Sequence, residues 1–194
     1  MIVLASQSAS RKAMLDAAGI AYEARPAHLD ERAIEAQLDG ASSEAIAVAL
    51  AKAKAIATSG ECAGRIVLGS DSLVEVVGCR FDKPASKADA ADHLRFFSGK
   101  AMHLFSAAAL VRDGDCIWSD CAHATLHLAE LSDAFIADYL DHEWPAVAGC
   151  VGVFRIEGRG VQLFTQIEGD QFTVLGMPLL KVIAELRRQG ELAT

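Results

Sequence analysis

The order of apolar and polar residues along the chain predicts strands that alternate with helices in its first half. Residues 65–78 are almost continuously apolar, which indicates a central strand of a sheet. A helix is predicted just before it, at 43–58, where apolar residues recur along one stripe. The other elements predicted in this half are a strand at 2–5, a helix at about 10–18 that ends at Gly19, and a strand at 20–26.

The second half shows the same mixture, with a hairpin in its middle. Two long strands are predicted at about 100–112 and 115–129, and the letters DGD between them form the turn. Because helices and strands interleave around this hairpin, we predict an α/β fold with a mixed, twisted sheet flanked by helices. The other predicted elements are a turn at 81–84, a helix from Ser86 to about 97, a helix from Ser132 to about 141, strands near 151–156 and 161–168, and a helix at 179–189.

The size and charge of the chain limit the function classes. Its 194 residues are enough for one domain, 1–194, with two lobes and a sizeable core. The net charge of −8 argues against a broad nucleic-acid surface, because such a surface needs a basic excess. A small anionic ligand remains compatible with this charge, since a local cluster of cations outweighs the global field at short range.

Neither a targeting segment nor a membrane span is predicted. Residues 1–5 are too few for the apolar region of a signal peptide, and no apolar run reaches the roughly 18 residues of a spanning helix. The five cysteines are scattered and form no CxxC pair. Free thiols of this kind are typical of a reducing compartment, so we expect a cytoplasmic protein.

Asp71 is the first candidate for chemistry, because it lies inside the most apolar predicted strand. Alternation places it on one face with Val67, Gly69 and Leu73. An ionised carboxylate is costly there unless a cation, a metal or hydrogen-bond donors contact it. Two interpretations remain open: a carboxylate that lines a cleft, or a strand end that turns to solvent.

Two lysines are less specific candidates. Lys54 lies about 80° from Ile46 around the helix axis, on the shoulder of the apolar stripe. Its ammonium could reach an adjoining groove, or its stem could simply cover the core at the surface. Lys83 precedes Pro84 in a stiff turn, which suits a phosphate contact, although most such lysines are plain turn residues.

The segment LASQSASRKAML at 4–15 places three serines directly ahead of two basic residues, namely Ser6, Ser8, Ser10, Arg11 and Lys12. Hydroxyl groups and a guanidinium at a strand-to-helix junction suit a bound phosphate, and they also suit an ordinary helix N-cap. Together with Asp71 and the two candidate lysines, they are suited to a magnesium-bound polyphosphate.

Other kinds of site have less support. His123 and His127 have the spacing of metal ligands on a helix, but their segment alternates like a strand, which would hold them about 13 Å apart. The sequence contains no GxSxG, P-loop or GxGxxG motif. Cys150 has no base beside it in the sequence, which favours a place in the core.

Seven ordered motifs resemble those of the Maf family of nucleoside-triphosphate pyrophosphatases, over nearly the whole chain. They are LASQSASRKAML, LDE at 29–31, LAKAKA at 50–55, GSDS at 69–72, DKPAS at 82–86, FSGKAMHLFSAAAL at 97–110, and the closing IEGRG at 156–160 with IEGDQFTVLGMPL at 167–179. The resemblance implies a fold like that of Maf proteins and inosine triphosphatases, with two lobes around a central cleft.

The resemblance also implies an activity. It is hydrolysis of the α–β phosphoanhydride bond of a nucleoside triphosphate to the monophosphate and pyrophosphate, with Mg²⁺ or Mn²⁺. By matching position, Asp71 would be the general base and, with Glu31, a metal ligand. The residues that would bind the triphosphate are Ser6, Ser8, Arg11, Lys54 and Lys83.

Three positions match the base-selecting set of the family and differ from members that use thymidine or uridine nucleotides: Ser10, Ser72 and Glu157. The branch acting on 7-methylguanosine triphosphate shares the glutamate, whereas the two serines match neither branch. A carboxylate can accept two N–H donors from a guanine edge, so we expect a purine or modified purine. Other departures are Ala9 in place of proline, and Asp82 in place of glycine beside Lys83.

Two rival functions stay open on the sequence. A non-catalytic nucleotide-binding regulator of cell division would be stabilised by nucleotide without forming product. An acidic scaffold protein would show neither binding nor turnover. Under the leading hypothesis the partners are a nucleoside triphosphate and, as an open option, a second copy of the chain in a homodimer, with no nucleic acid and no membrane.

Overall fold

The computed structural model describes residues 1–193, in which strands and helices interleave. The strands are β1 (Ile2–Leu4), β2 (Tyr22–Ala24), β3 (Ile66–Val76), β4 (Cys79–Phe81), β5 (Ala101–Arg112), β6 (Asp115–Leu128) and β7 (Phe164–Glu168). The helices are α1 (Ala9–Ala17), α2 (Glu31–Ala36), α3 (Ser43–Ser59), α4 (Lys87–Phe97), α5 (Asp133–Glu143), α6 (Gln171–Val174) and α7 (Leu179–Arg188), with 3₁₀ turns at Ala146–Gly149 and Arg159–Leu163.

The strands of residues 1–193 form one mixed sheet in the order β2-β1-β3-β5-β6-β7, and β4 pairs with β3 off this path. Strand β1 is parallel to both β2 and β3, whereas β4 is antiparallel to β3 and β7 is antiparallel to β6. The α/β fold with a mixed sheet flanked by helices is therefore confirmed. None of the helices described is long and apolar enough to cross a membrane.

The chain divides into two compact units, which correspond to the two predicted lobes. The first comprises Met1–Ser72, Phe105–Ala122 and the segment from Gln171 onward; the second comprises Leu73–Leu104 and His123–Asp170. The central cleft and the extent of the single domain, 1–194, stay predictions.

The first unit has an apolar layer on each face of its sheet, because successive residues of β1 and β3 point in opposite directions. On one face Leu4 and Leu68 pack with buried residues of α1 and α7, such as Leu15 and Leu186. The opposite face carries Val3, Ala5 and Val67, packed against Ala55 of α3. Because of this alternation, each residue of β3 in this unit faces either α3 or the side of the sheet that carries α1 and α7.

The second unit is built around helices α4 and α5, which pack against each other. Phe97 of α4 is fully buried and contacts the Phe81 ring edge-on, with the ring centroids 4.7 Å apart. On α5 the buried Tyr139 hydroxyl donates to the Val153 carbonyl at 2.9 Å. Both His123 and His127 lie on a strand, β6, as their alternation predicted.

The prediction of a strand at 151–156 is wrong. Val153 has a φ of +55°, which is outside the range of an extended strand, and its amide donates to the Cys150 carbonyl at 3.0 Å in a turn. The next predicted strand starts later, at Phe164, after a 3₁₀ turn. Strand β4 and helices α2 and α6 are short elements that the apolar pattern did not predict.

Candidate active site

Strand β3 carries the candidate chemistry at the point where its neighbour β1 has ended. The pairing between the two parallel strands reaches Leu4 opposite Leu68, and the Ala5 amide donates to the Leu68 carbonyl at 2.9 Å. Asp71 and Ser72 follow on β3, beyond the carboxyl end of β1. Ligands of open α/β sheets bind in this kind of position. Consecutive strand residues point to opposite faces, so Asp71 turns towards α3 and Ser72 towards α1.

Asp71 is buried and paired with a lysine. Only 7% of Asp71 is exposed, and its Oδ1 lies 2.5 Å from the Lys54 Nζ. The same ammonium contacts the Glu31 Oε2 at 3.0 Å. Exposure of the Lys54 side chain is 13%, and that of Glu31 is 47%. The solvent-facing alternatives for Asp71 and Lys54 are therefore wrong. Within the first unit, the Lys54 ammonium contacts the carboxylates of both Asp71 and Glu31.

Gly69 explains how α3 comes close enough for this contact. A Cβ built at Gly69 would lie 2.1 Å from the Ala51 carbonyl oxygen and 2.8 Å from the Ala55 amide nitrogen, both of which are backbone atoms of α3. No residue with a side chain fits there without moving the helix. The missing side chain at Gly69 thus sets the distance between the strand that carries Asp71 and the helix that carries Lys54.

On the opposite face of β3, Arg11 is held by neutral acceptors. Its Nε donates to the Gly176 carbonyl at 2.9 Å, its Nη1 to the Ser6 Oγ at 3.3 Å, and its Nη2 to the Ser72 Oγ at 3.2 Å. The planar fork of arginine suits three such bonds in fixed directions. Gly176 has a φ of +102°, in the left-handed region that favours glycine.

Burial lowers the pKa of Arg11 from its ordinary value, because the low-dielectric surroundings disfavour the charged form. The carboxylates of Asp71 and then Glu31 oppose this effect, since each favours a positive charge nearby. The side chain of arginine nevertheless stays protonated in proteins. Arg11 therefore supplies a fixed positive charge close to Asp71.

The serines of the opening segment have specific local roles. Ser8 is the N-cap of α1 and its Oγ accepts from the Arg11 amide at 3.4 Å, so the N-cap interpretation of this residue is confirmed. Ser6 accepts from the Ser8 amide at 3.2 Å as well as from Arg11. The Ser10 hydroxyl donates to the Leu175 carbonyl at 2.7 Å. Their roles in binding a phosphate or selecting a base stay predictions.

Some residues of this network were not singled out in the sequence. The buried hydroxyls of Ser70 and Ser106 donate to the carbonyls of Ala107 and Thr173, each at 2.8 Å. Ser72 also donates to the Gly176 carbonyl at 2.9 Å. A signal was present, because Ser70 and Ser72 share a face of the strand, and Gly176 lies within the closing motif that ends in GMPL.

Two candidate residues, Lys83 and Glu157, lie in the second unit. Lys83 is exposed between β4 and α4. The half-exposed Glu157 lies 3.7 Å from Arg155, whose guanidinium is also 3.8 Å from the buried Glu143. Glu143 also accepts a hydrogen bond from the Arg159 amide at 3.3 Å, and this bond links the IEGRG segment to the end of α5. That Lys83 and Glu157 act together with Asp71 in one site stays a prediction.

The oxygen donors of the first unit fit a divalent cation that arrives with phosphates. Oxygens of Glu31 and Asp71 both lie within 3.0 Å of the Lys54 Nζ, so they converge on one point. Magnesium is commonly held by one or two carboxylates together with substrate phosphates. Within residues 1–193 there is no group of three or more His, Cys, Asp or Glu side chains arranged for a metal. The two carboxylate oxygens of Glu31 and Asp71 therefore suit a metal that phosphates also hold.

Comparison with known proteins identifies the family. A family model described as Maf-like protein matches residues 1–189. The nucleoside triphosphate pyrophosphatase of Sphingopyxis alaskensis is 45% identical to this chain over 192 residues, which are 97% of either chain. The 7-methyl-GTP pyrophosphatase of Rhizobium etli is 44% identical over 191 residues, which are 97% of this chain and 96% of that protein. A solved Ham1 protein of Staphylococcus aureus is more distant, at 15% identity and a TM-score of 0.48 over 95% of this chain and 97% of that one. Since the family model and both relatives span nearly all of its length, the chain belongs to the Maf-like proteins.

Proposed function

We propose that this Maf-like protein hydrolyses the α–β phosphoanhydride bond of a nucleoside triphosphate, releasing the monophosphate and pyrophosphate. The observation that carries the proposal is the buried Asp71, contacted by Lys54 on one face of β3 and followed on the other face by Ser72, which contacts Arg11. Relatives named as nucleoside triphosphate and 7-methyl-GTP pyrophosphatases, at 44–45% identity, support it.

Asp71 is proposed as the general base. Water attacks phosphorus, a new P–O bond forms, the bridging P–O bond breaks, and pyrophosphate leaves with the bond electrons. The Asp71 carboxylate takes the proton of the attacking water. Lys54 and Arg11 provide positive charge beside the phosphates, where negative charge develops. Mg²⁺ or Mn²⁺, held by Glu31 and Asp71 with phosphate oxygens, would add further charge stabilisation when bound.

The triphosphate is proposed to lie at the start of α1. Ser6 and Ser8 bring hydroxyls and backbone amides to the N-terminus of this nine-residue helix, where anions are favoured. Arg11, one turn into the helix, is positioned by its three neutral acceptors. Lys83, from the second unit, is proposed as a further phosphate contact.

Substituting Arg11 with lysine tests the fork geometry at constant charge. A lysine ammonium cannot reach the acceptors on Gly176, Ser6 and Ser72 at once, so we expect kcat/KM to fall about 10- to 100-fold, the equivalent of one charge-assisted hydrogen bond. Steady-state pyrophosphate release measures the effect. Arg32→Lys, at an exposed position of α2, is the matched control. An Arg11→Lys enzyme with the kcat/KM of the control would contradict the role of the fork.

Base selection is proposed to involve Ser10, Ser72 and Glu157, with a purine or modified purine as substrate. Glu157→Gln replaces one acceptor oxygen by a donor amide, so we expect the ratio of kcat/KM for GTP to that for UTP to fall about tenfold, within the range of one bidentate base contact. Glu130→Gln, another exposed carboxylate of the second unit, is the control. An unchanged ratio in Glu157→Gln would remove this residue from base selection.

The proposed activity is tested with a substrate panel. Wild-type protein is incubated with ATP, GTP, UTP, dTTP, ITP and 7-methyl-GTP in the presence of Mg²⁺ or Mn²⁺, and pyrophosphate release is measured. We expect release from at least one purine triphosphate. Hydrolysis of none of them would contradict the proposed function, and nucleotide-induced stabilisation without product would favour the regulator instead.

Two further expectations concern the protein's surroundings. All five cysteines are free, which agrees with the proposed cytoplasmic location. The homodimer and the absence of nucleic-acid and membrane partners remain proposals, and size-exclusion chromatography with light scattering measures the first of them.

A further inference from the structure

We propose that the Lys54 ammonium holds the place of the divalent cation in the nucleotide-free protein and leaves it only for a triphosphate. Metal and nucleotide would then bind together, and neither would bind well alone. This inference rests on the proposed function, because it concerns the same site, but it is tested by binding and not by turnover.

The first argument is the position of the ammonium. Its Nζ lies 2.5 Å from the Asp71 Oδ1 and 3.0 Å from the Glu31 Oε2, between the two carboxylates that would hold a metal. Magnesium binds oxygen at about 2.0–2.1 Å, so a cation on both oxygens would occupy nearly the same space as the ammonium. The two positive charges also repel each other at this distance. The ammonium therefore competes with a metal for the Asp71 Oδ1 and the Glu31 Oε2.

The second argument is that Lys54 is placed to make this exchange, whereas Arg11 is not. Arg11 is fixed by three neutral acceptors, and neither of the carboxylates proposed to hold the metal is among them. The backbone of α3 is held against β3 by the close packing at Gly69, so the Lys54 side chain moves while its helix stays in place. Four rotatable bonds give a lysine this freedom.

The third argument concerns where the ammonium goes. The Lys54 side chain is mostly removed from solvent, at 13% exposure. Moving its ammonium away from both carboxylates is therefore costly unless another anion lies nearby to pair with it. A triphosphate supplies that anion and brings the metal with it. By linkage, the factor by which nucleotide raises metal affinity equals the factor by which metal raises nucleotide affinity.

The test measures Mn²⁺ binding to the nucleotide-free protein by electron paramagnetic resonance, with Mn²⁺-dependent changes in Tm as a second readout. Lys54→Met removes the ammonium and keeps the stem, so we expect Mn²⁺ to bind at least about tenfold more tightly than to wild type. Lys54→Arg keeps the charge and should bind as weakly as wild type. Lys52→Met, the same change two positions away on α3, is the matched control and should also match wild type.

The outcome is read in the same way whether or not the protein is an active enzyme. Tighter Mn²⁺ binding to Lys54→Met and Lys54→Gln, but not to Lys54→Arg or Lys52→Met, supports the exchange. Equal affinity in wild type, Lys54→Met and Lys52→Met overturns it, as does Lys54→Arg binding as tightly as Lys54→Met. Lys54→Gln is measured alongside, so that the comparison does not depend on the stability of one variant. Failure of the substrate panel would refute the activity and leave this comparison intact.

Discussion

Asp71→Asn is expected to lower kcat by about 10²–10⁴-fold, the contribution of a positioned general base. The amide keeps the shape of the carboxylate and still offers an oxygen to Lys54, so the fold should be retained. What the amide loses is the capacity to take a proton from the attacking water. The measurement is initial pyrophosphate release on the preferred substrate, with circular dichroism and Tm to confirm that the variant is folded.

Asp39→Asn is the matched control, because Asp39 is an exposed carboxylate of the same unit. It should keep wild-type kcat. A folded Asp71→Asn enzyme with more than about a hundredth of wild-type kcat would show that another group accepts the proton, since a positioned general base contributes at least about 10²-fold.

Gly69→Ala is expected to lower both stability and activity. The added Cβ would lie 2.1 Å from the Ala51 carbonyl oxygen, so the backbone of α3 has to shift away from β3. Overpacking of this kind costs about 1–3 kcal/mol. Lys54 moves with the helix, and a displacement of about 1 Å at an active site can lower the rate about 10²-fold. Urea unfolding measures the free energy of unfolding, and kcat/KM measures the displacement.

Gly60→Ala, at the C-cap of α3, provides the control, because a Cβ at Gly60 meets nothing within 4 Å and its φ is −59°. It should retain wild-type stability and activity. If Gly69→Ala behaved in the same way, the close approach of α3 would not be what sets the contact between Lys54 and Asp71.

Much of this site was predictable from local patterns. The alternation along 65–78 placed Asp71 on the face of Val67 and Gly69, the face that packs on α3. The helical spacing placed Lys54 on the shoulder of the apolar stripe of that same helix, next to the buried Ala55. The sequence thus grouped a lone carboxylate in an apolar strand and a lysine beside an apolar stripe in one polyphosphate site, but it did not predict their direct contact.

The acceptors of Arg11 were not predictable in this way. Gly176 lies 165 positions along the chain from Arg11, and no local pattern reports which distant carbonyl a guanidinium will reach. Helix α2, which brings Glu31 to Lys54, is only six residues long and has no buried residue, so it leaves no apolar stripe in the sequence. The wrong prediction of a strand at 151–156 has a related reason: β-branched residues rarely adopt a positive φ, so the sequence did not indicate one at Val153.

The measurement that tests the central claim most directly is ³¹P nuclear magnetic resonance of the reaction products. Wild-type protein and Asp71→Asn are incubated separately with the preferred triphosphate and a divalent cation. We predict nucleoside monophosphate and pyrophosphate in equal amounts from wild type, and unreacted triphosphate from the variant over the same time. Nucleoside diphosphate with inorganic phosphate from wild type, or equal product from both proteins, would contradict the account.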